Sequence, residues 1–577
     1  MALRAGSKPR LPARFRAQAL GRLCHRLLSP ALVAVLVAAC VAASLHGWRN
    51  GQPVPLPDAP SERIACASYT PFRKPGETPF DKHAHVPRER IEADLEVLSQ
   101  RFECVRTYSV SQGLAEVPAV AERLGMKVLL GIWIGRDPAE NEREVALGLR
   151  VANAHPATVR AVIVGNEVLL RRELPPERLR AYIERVRGAT HLPVTYADVW
   201  EFWLRHQQLS DAVSFVTIHI LPYWEDDPVD IDRAVDHVRR VYEQVREVFA
   251  GKEVLIGEIG WPSKGRSRRG AVPSRVNEAR FIREFLSFAT TFGVPYNVIE
   301  AVDQPWKRRL EGTVGGHWGL YDAELRPKFP LQGPVTEDPT WMKGVYAGIG
   351  LAVAFALAPL AGARRPGLRG LLILALAGYA TGTALAAQIR HMAASNRDAF
   401  EWALSATFTA LAVFTAFLSA WALARWADGR GRQPPLVPAS LLELQRLPRS
   451  MADWLGLLRF VWLFAAATVA LLLTFDARYR DFPLSLFGAP GLGFLLLALA
   501  GAGDPRAWRP VEQEERLLAG WLAVSAPLIV AFERIANTSA VLWGALSLAL
   551  AAAVLVPHVA ARRRSGTPDP GEHQGTQ

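Results

Sequence analysis

Four short segments carry residue types able to do chemistry together. They read Val105-Arg106-Thr107-Tyr108, Val164-Gly165-Asn166-Glu167, His219-Ile220-Leu221-Pro222-Tyr223-Trp224 and Gly257-Glu258-Ile259-Gly260-Trp261-Pro262-Ser263. Glu167 and Glu258 are each preceded by a run too apolar to be an exposed face, and an isolated glutamate is rarely buried without a partner or a job. Two such carboxylates can share the cleavage of a glycosidic bond. One, protonated, gives its proton to the leaving oxygen, and the other attacks the anomeric carbon. The acid needs a raised pKa and the nucleophile a stabilised charge, so their surroundings must differ. Asn166 suits a sugar 2-hydroxyl, and Arg106 suits a partner that keeps the nucleophile ionised. From pattern alone, ordinary salt bridges for both glutamates stay open.

Residues this far apart need a frame that brings them to one place. Short β-rich runs alternate with amphipathic helical ones from about Ile64 to Pro330. The runs are Ile64–Tyr69, Cys104–Tyr108, Val128–Ile134, Ala161–Val168, Val194–Tyr196, Val213–Leu221, Val254–Ile259 and Val294–Val302. Helical spacing is clear in Ile91, Leu95 and Leu98, and again over Pro176–Val186 and Val235–Val248. Continuously apolar strands are expected where helices cover one face and a packed interior the other. Eight strands alternating with helices predict an α/β fold, a (β/α)8 barrel whose chemistry sits at the C-terminal strand ends. A doubly wound sheet is the alternative, and the missing Gly-rich phosphate loop counts against a nucleotide-binding form of it.

The chain has 577 residues, a net charge of +12 and half of its residues hydrophobic, with a mean hydropathy of +0.09. That near-zero mean averages two unlike parts. Apolar stretches of about 18 residues or more recur after Trp341, longer than a water-soluble domain needs. Disordered, collagen-like and disulfide-scaffold classes are excluded by composition. Residues 1–26 form a basic tail without an acidic residue, 27–48 a transmembrane signal anchor and 49–63 a linker. Residues 64–335 form the barrel, 341–563 a membrane domain of about seven transmembrane helices, and 564–577 a second tail. The seven spans are expected near Gly344–Ala363, Leu368–Gln388, Ala403–Ala424, Leu457–Thr474, Phe482–Gly501, Leu517–Phe532 and Ser539–Ala560. Arg364, Arg365 and Arg369, then Arg425, Arg430 and Arg432, then Arg562 to Arg564 mark the cytoplasmic side. Eight spans place both termini in the cytoplasm and the barrel outside the cytoplasmic membrane, which is the periplasm if the cell is a Gram-negative bacterium. The basic tail beside an apolar run is a membrane flank rather than a nucleic-acid site.

Cys66 and Cys104 lie on neighbouring expected strands and read first as two small buried core residues, with a disulfide as the alternative. No Cys/His spacing fits zinc, and no cofactor or metal is expected.

The segments around Glu167 and Glu258 resemble the acid/base and nucleophile motifs of glycoside hydrolase family 17. Ser68-Tyr69-Thr70-Pro71-Phe72, Arg106 in Val-Arg-Thr-Tyr, and Gly319-Leu320-Tyr321 are similar to the same family. The resemblance implies a (β/α)8 barrel and a retaining β-1,3-glucanase or glucan transglycosylase, with Glu167 the acid/base and Glu258 the nucleophile. It extends to bacterial membrane proteins labelled β-(1,6)-glucan synthases and linked to branched or cyclic β-glucans. Plant members carry Phe-Asp-Glu-x-x-Lys after the eighth strand and a further Glu. Here the stretch is Val302-Asp303-Gln304-Pro305-Trp306-Lys307, then Glu311, so a glutamine replaces a glutamate. Lys307 and Glu311 remain supporting candidates, and the change bears on whether endo-hydrolysis is the sole activity.

Tyr69, Tyr196, Trp200, Trp203, Tyr223, Trp224, Trp261, Trp306 and Trp318 cluster near the strand ends. Sugar C–H faces pack on aromatic rings, so Tyr69, Tyr196, Tyr223, Trp261 and Trp306 are expected to bind substrate, Trp261 and Trp306 foremost. Core filling is the competing role for about half of the set. His219 is either a satisfied strand-end histidine or a sugar ligand. Three classes follow: a membrane-anchored β-glucan enzyme, a non-catalytic glucan-binding or export protein, and a nucleotide-sugar synthase. The third needs a cytoplasmic domain larger than the loop from about Arg425 to Leu455. The first is expected, with β-glucan and the lipid bilayer as partners, and with polymer chains supplied by a membrane glucan synthase.

Overall fold

The computed structural model describes residues 13–361, 365–429, 448–501 and 511–565. Residues 1–12 of the basic tail, Arg364, Arg430 and Arg432 with most of their loop, and residues 566–577 lie outside it. The chain divides into two compact units, residues 52–337 and the remainder.

The first unit is a closed barrel of eight parallel strands. They are β1 Ala67–Ser68, β2 Cys104–Arg106, β3 Lys127–Ile132, β4 Val159–Asn166, β5 Val194–Val199, β6 Val216–His219, β7 Val254–Ile259 and β8 Tyr296–Val298. Each strand feeds a helix: α1 Arg88–Leu98, α2 Val117–Arg123, α3 Pro138–Ala154, α4 Pro176–Gly188, α5 Trp200–Arg205, α6 Ile231–Val248, α7 Arg275–Phe292 and α8 Arg308–Glu311. Ile91, Leu95 and Leu98 of α1 are fully buried, as their spacing requires. Of the segment expected to be a linker, residues 52–63 belong to this unit. Pro53–Val54 pairs antiparallel with Val335–Thr336, and Ala59 is buried.

Inside the barrel the side chains form layers. Arg106 reaches across to β4 and β7, so it points inward, and Cys104 two residues earlier shares its face. Cys66, Cys104, Leu129, Ala161, Ile163, Ala197 and Leu255 make a small apolar floor separate from the core under the helices. The expectation of two free core cysteines is corrected here: Cys66 and Cys104 are joined by a disulfide. The pairing of Ala67 with Val105 sets them side by side. Above this floor lie the polar Ser68, Arg106, Thr195, Thr217 and Asn297, all buried.

A second buried charge cluster ties the loop after β7 to the loops after β8. Lys328 Nζ donates to Ser263 Oγ at 2.7 Å and Asp303 Oδ1 at 3.0 Å, and lies 3.0 Å from Glu278 Oε1 of α7. Burial pushes Glu278 up to about 8, opposed by Lys328 and reinforced by the charge of Asp303.

Among the described residues, the second unit contains eight helices long and apolar enough to cross a membrane. They are Pro30–Asn50, Met342–Leu360, Leu368–Ser395, Ala399–Ala427, Met451–Phe475, Leu484–Gly501, Gln513–Glu533 and Thr538–Val559. The first belongs to a longer helix, Ala13–Asn50. Arg459 sits well inside its helix, where its guanidinium binds the Glu515 carboxylate through two hydrogen bonds, with both groups buried. A buried charge is retained when paired this way.

Glu278 keeps its proton in the fold up to about pH 8 and, once unfolded, releases it near the ordinary 4.5. Stability is therefore lost as pH rises between those values. Glu278→Gln is expected to raise the melting temperature of the full chain in detergent more at pH 8 than at pH 5, by about 3 °C or more. Equal shifts at both pH values would refute this.

Candidate active site

The C-terminal end of β4 turns sharply. Gly165 has φ of 83° and Glu167 φ of 53°. A Cβ on Gly165 would come within 2.8 Å of Val168 Cγ2, so the position requires glycine twice over. The turn is tied down by Glu167 N–H donating to Ala197 O at 2.8 Å. A non-glycine residue in the left-handed region is a strain that surrounding contacts must hold. Glu258 leaves β7 without such a kink and is almost fully buried.

Arg106 joins the elements. Its Nη2 donates to Asn166 Oδ1 at 2.5 Å, and its Nη1 donates to Gly257 O at 2.7 Å and lies 3.4 Å from Glu258 Oε1. Tyr108 O–H donates to the same Glu258 oxygen at 2.8 Å. Two donors from the same segment thus converge on one oxygen of this carboxylate. Burial and the Glu258 charge push the Tyr108 phenol well above its usual range, so it remains a donor. Gly257 makes room for this packing, since a Cβ there would strike Thr217 at 2.5 Å and the His219 ring at 3.3 Å.

His219 Nδ1 lies 2.9 Å from Glu167 Oε1 and 3.6 Å from Glu258 Oε2. Burial alone would raise Glu167. The hydrogen bond from His219, the attraction of its ring and the charges of Arg171 and Arg106 outweigh it and hold the carboxyl below its ordinary range. The free site is thus opposite to the raised pKa expected for an acid. Burial, with the Glu167 charge, pushes neighbouring Asp198 up to about 6. One donor atom each of Glu167, His219 and Glu258 lie within 4.8 Å of one another, a spacing that could hold a cation. Those atoms are already engaged with each other and with the Arg106 guanidinium, which supplies positive charge at that point.

The candidate residues divide sharply. Glu167, Glu258, Arg106, Asn166 and His219 converge. Lys307 and Glu311 join them electrostatically: burial raises Glu311, Lys307 opposes, and Glu167 and Glu258 raise it further. Four aromatic expectations are corrected. Tyr69, Tyr196, Tyr223 and Trp261 are at most 1% exposed and offer no face to a sugar. Their polar tips are spent inside: Tyr69 on Asp94, Tyr196 on Asp198, Tyr223 on Arg266 O and Trp261 on Val272 O. His219 is likewise buried, a partner of the glutamates rather than a sugar ligand. Trp306 is half-buried and meets the exposed ring of Phe80 edge-on, centroids 5.5 Å apart.

Three further residues belong to the site. Tyr108 stands two positions after Arg106, so strand alternation indicates its face. Asn297 Nδ2 donates to Ser68 Oγ and Gly257 O. Glu300 follows the apolar run of β8 just as Glu167 and Glu258 follow theirs, and it pairs with Lys307. The Gln304 departure also has a physical reason. Its amide N–H group donates to Thr70 O at 2.8 Å and Val302 O at 3.0 Å, while its oxygen accepts from the Trp306 indole at 2.8 Å. A carboxylate would do only the last of these, and Lys307 finds its anion in Glu300 instead.

A barrel with two opposed carboxylates at its C-terminal mouth is the arrangement of a glycoside hydrolase. Residues 66–319 match the BtgE/BtgC glycoside hydrolase domain. This match and the relatives that follow are in keeping with the resemblance to glycoside hydrolase family 17. A glucan 1,3-beta-glucosidase of Candida albicans is 25% identical over 263 residues, 42% of this chain and 85% of the relative. One from Arthroderma benhamiae is 28% identical over 259 residues, covering 41% and 83%. The solved family 17 β-1,3-glucanosyltransferase of Rhizomucor miehei is 26% identical, with a TM-score of 0.41, over 47% of this chain and 98% of that one.

Gln304→Glu sets a carboxylate oxygen against two carbonyls and is expected to cost about 1–3 kcal/mol. Thermal unfolding checks this, and an unchanged melting temperature would show that the amide contacts do not hold the loop.

Proposed function

We propose that the barrel is a retaining enzyme acting on β-1,3-glucan, which it hydrolyses, transfers to another glucan, or both. The observation that carries this reading is the close approach of Glu167 and Glu258, oxygen to oxygen within 4.8 Å. Retaining enzymes hold their carboxyls about 5–5.5 Å apart, and inverting ones about 6.5–9.5 Å. The named activities of the relatives support the substrate class. In the proposed reaction Glu258, steadied by Tyr108 and Arg106, attacks the anomeric carbon while Glu167 protonates the departing glucan oxygen. Glu167 then takes the proton of an incoming hydroxyl, which displaces Glu258. Water as that hydroxyl gives hydrolysis, and a second glucan gives transfer. Asn166, its side-chain oxygen held by Arg106, keeps its amide N–H group for the sugar 2-hydroxyl.

The apolar helices are read as holding the enzyme in a bilayer. Val353, Leu357, Phe464, Leu471, Val524 and Leu548 are exposed on them, as lipid contact requires. The arginine pattern supports the barrel lying outside the cytoplasmic membrane, and a disulfide fits an oxidising compartment. There the enzyme would remodel chains delivered by a membrane glucan synthase.

Purified full-length protein in detergent is expected to convert laminari-oligosaccharides, and Glu258→Gln to lose about a thousandfold or more of that turnover while staying folded. Products longer than the substrate identify transfer, and shorter ones alone identify hydrolysis. Because Glu167 must take up a proton against a lowered pKa, kcat/KM is expected to be higher at pH 5 than at pH 8. Wild-type protein inert on every β-glucan would overturn the reading.

A further inference from the structure

This inference rests on the acid and nucleophile roles proposed for Glu167 and Glu258, and it concerns the histidine between them. The His219 ring is fully buried at the end of β6. Its Nε2 lies 3.5 Å from Arg106 Nη1. A guanidinium only donates, so a hydrogen on Nε2 would oppose two N–H groups, whereas a lone pair there is accommodated. The hydrogen of the neutral ring then sits on Nδ1, the atom facing both carboxylates. The same guanidinium already serves Asn166 Oδ1 and Gly257 O and cannot turn away. The charged and titratable groups around the ring are Arg106 and Tyr108 from β2 and its end, Glu167 and Arg171 from β4 and the turn after it, Asp198 from β5, and Glu258 from β7. Glu311 acts through the two glutamates.

We propose that His219 is a donor of fixed tautomer, shared by the two glutamates, that supports whichever of them carries the negative charge. In the first step the Glu258 oxygen forms a bond to the anomeric carbon as the bond to the leaving glucan oxygen breaks. That oxygen takes the proton of Glu167, so the negative charge passes from Glu258 to Glu167. In the second step the incoming hydroxyl gives its proton to Glu167, bonds to the anomeric carbon and releases Glu258 as a carboxylate. The charge returns, and His219 keeps its Nδ1 hydrogen throughout. It touches no substrate and is a positioning residue.

The test uses the full chain in detergent with His219→Ala and His219→Gln. On laminari-oligosaccharides, whose leaving hydroxyl needs a proton, His219→Ala is expected to lose about tenfold or more in kcat/KM. Its alkaline limb should move to higher pH, because burial then acts on Glu167 without the donor. His219→Gln, whose amide still donates, should regain most of the rate and the wild-type limb. On a dinitrophenyl laminaribioside, whose leaving group departs without a proton, the loss in the burst phase should vanish. Equal losses on both substrates, or an unmoved limb, would overturn the proposal. A separate readout needs no turnover: the ring-nitrogen spectrum of 15N-histidine-labelled protein, with the His219 signals assigned by their absence in His219→Gln. A ring with its hydrogen on Nδ1 and a lone pair on Nε2 supports the proposal; a hydrogen on Nε2 overturns it. A chain inert on every glucan would remove the functional reading, yet this spectrum would still decide the tautomer.

Discussion

One buried cation organises the interior of the barrel. Arg106 spans from β2 to β4 and β7, touching the asparagine beside Glu167, the carbonyl before Glu258 and the Glu258 carboxylate itself. Burying a charge in a barrel costs several kcal/mol unless its hydrogen bonds are satisfied. Asn166 Oδ1, Gly257 O and the Glu258 carboxylate supply those bonds, and the Tyr108 ring lies against the guanidinium at 4.7 Å. Its geometry also leaves no freedom for the His219 ring, which lies between Arg106 and the two glutamates. The site's electrostatics follow from where one guanidinium can reach.

The loops add a second level of control that is neutral rather than charged. Gln304 links the loop after β1 to the loop after β8 with an amide that both donates and accepts. This places Trp306, the half-exposed aromatic of the original candidates, next to Phe80 at the rim. Lys307 and Glu300 satisfy one another nearby. Lys328 meanwhile holds Asp303 and Ser263 together behind the site. Fixed loops on a rigid barrel position polar groups far more tightly than mobile ones.

The frame was legible in the sequence because strand periodicity and apolar helix length are local properties. All eight strands fall within or across their expected runs, although Ile64–Tyr69 contracts to Ala67–Ser68 as its ends leave the ladder. Glu167, Glu258 and Arg106 were legible because a charged residue ending an apolar run is conspicuous. The aromatics were misread because composition does not report which face of a ring is covered. Tyr196 and Trp261 turn their polar atoms inward and close the core. The contact of His219 with Glu167 joins residues 52 positions apart on two different strands, and no spacing rule encodes it. Cys66 and Cys104 depended on strand register, which only the paired barrel supplies.

That register has a mechanical side. The shortest strands, β8, β1 and β2, with three, two and three residues, are neighbours in the closed barrel. This sector of the hoop therefore has the fewest ladder hydrogen bonds, and the covalent cross-link lies within it. Closing a loop over a separation of 38 residues removes denatured-state entropy worth about 4 kcal/mol in a chain-entropy model. Ser68, Arg106 and Asn297 all rise from this thin sector. The sulfur bridge beneath them acts as the hoop's clasp, so the stiffness that the hydrogen-bond ladder lacks there comes from a covalent bond under the catalytic floor.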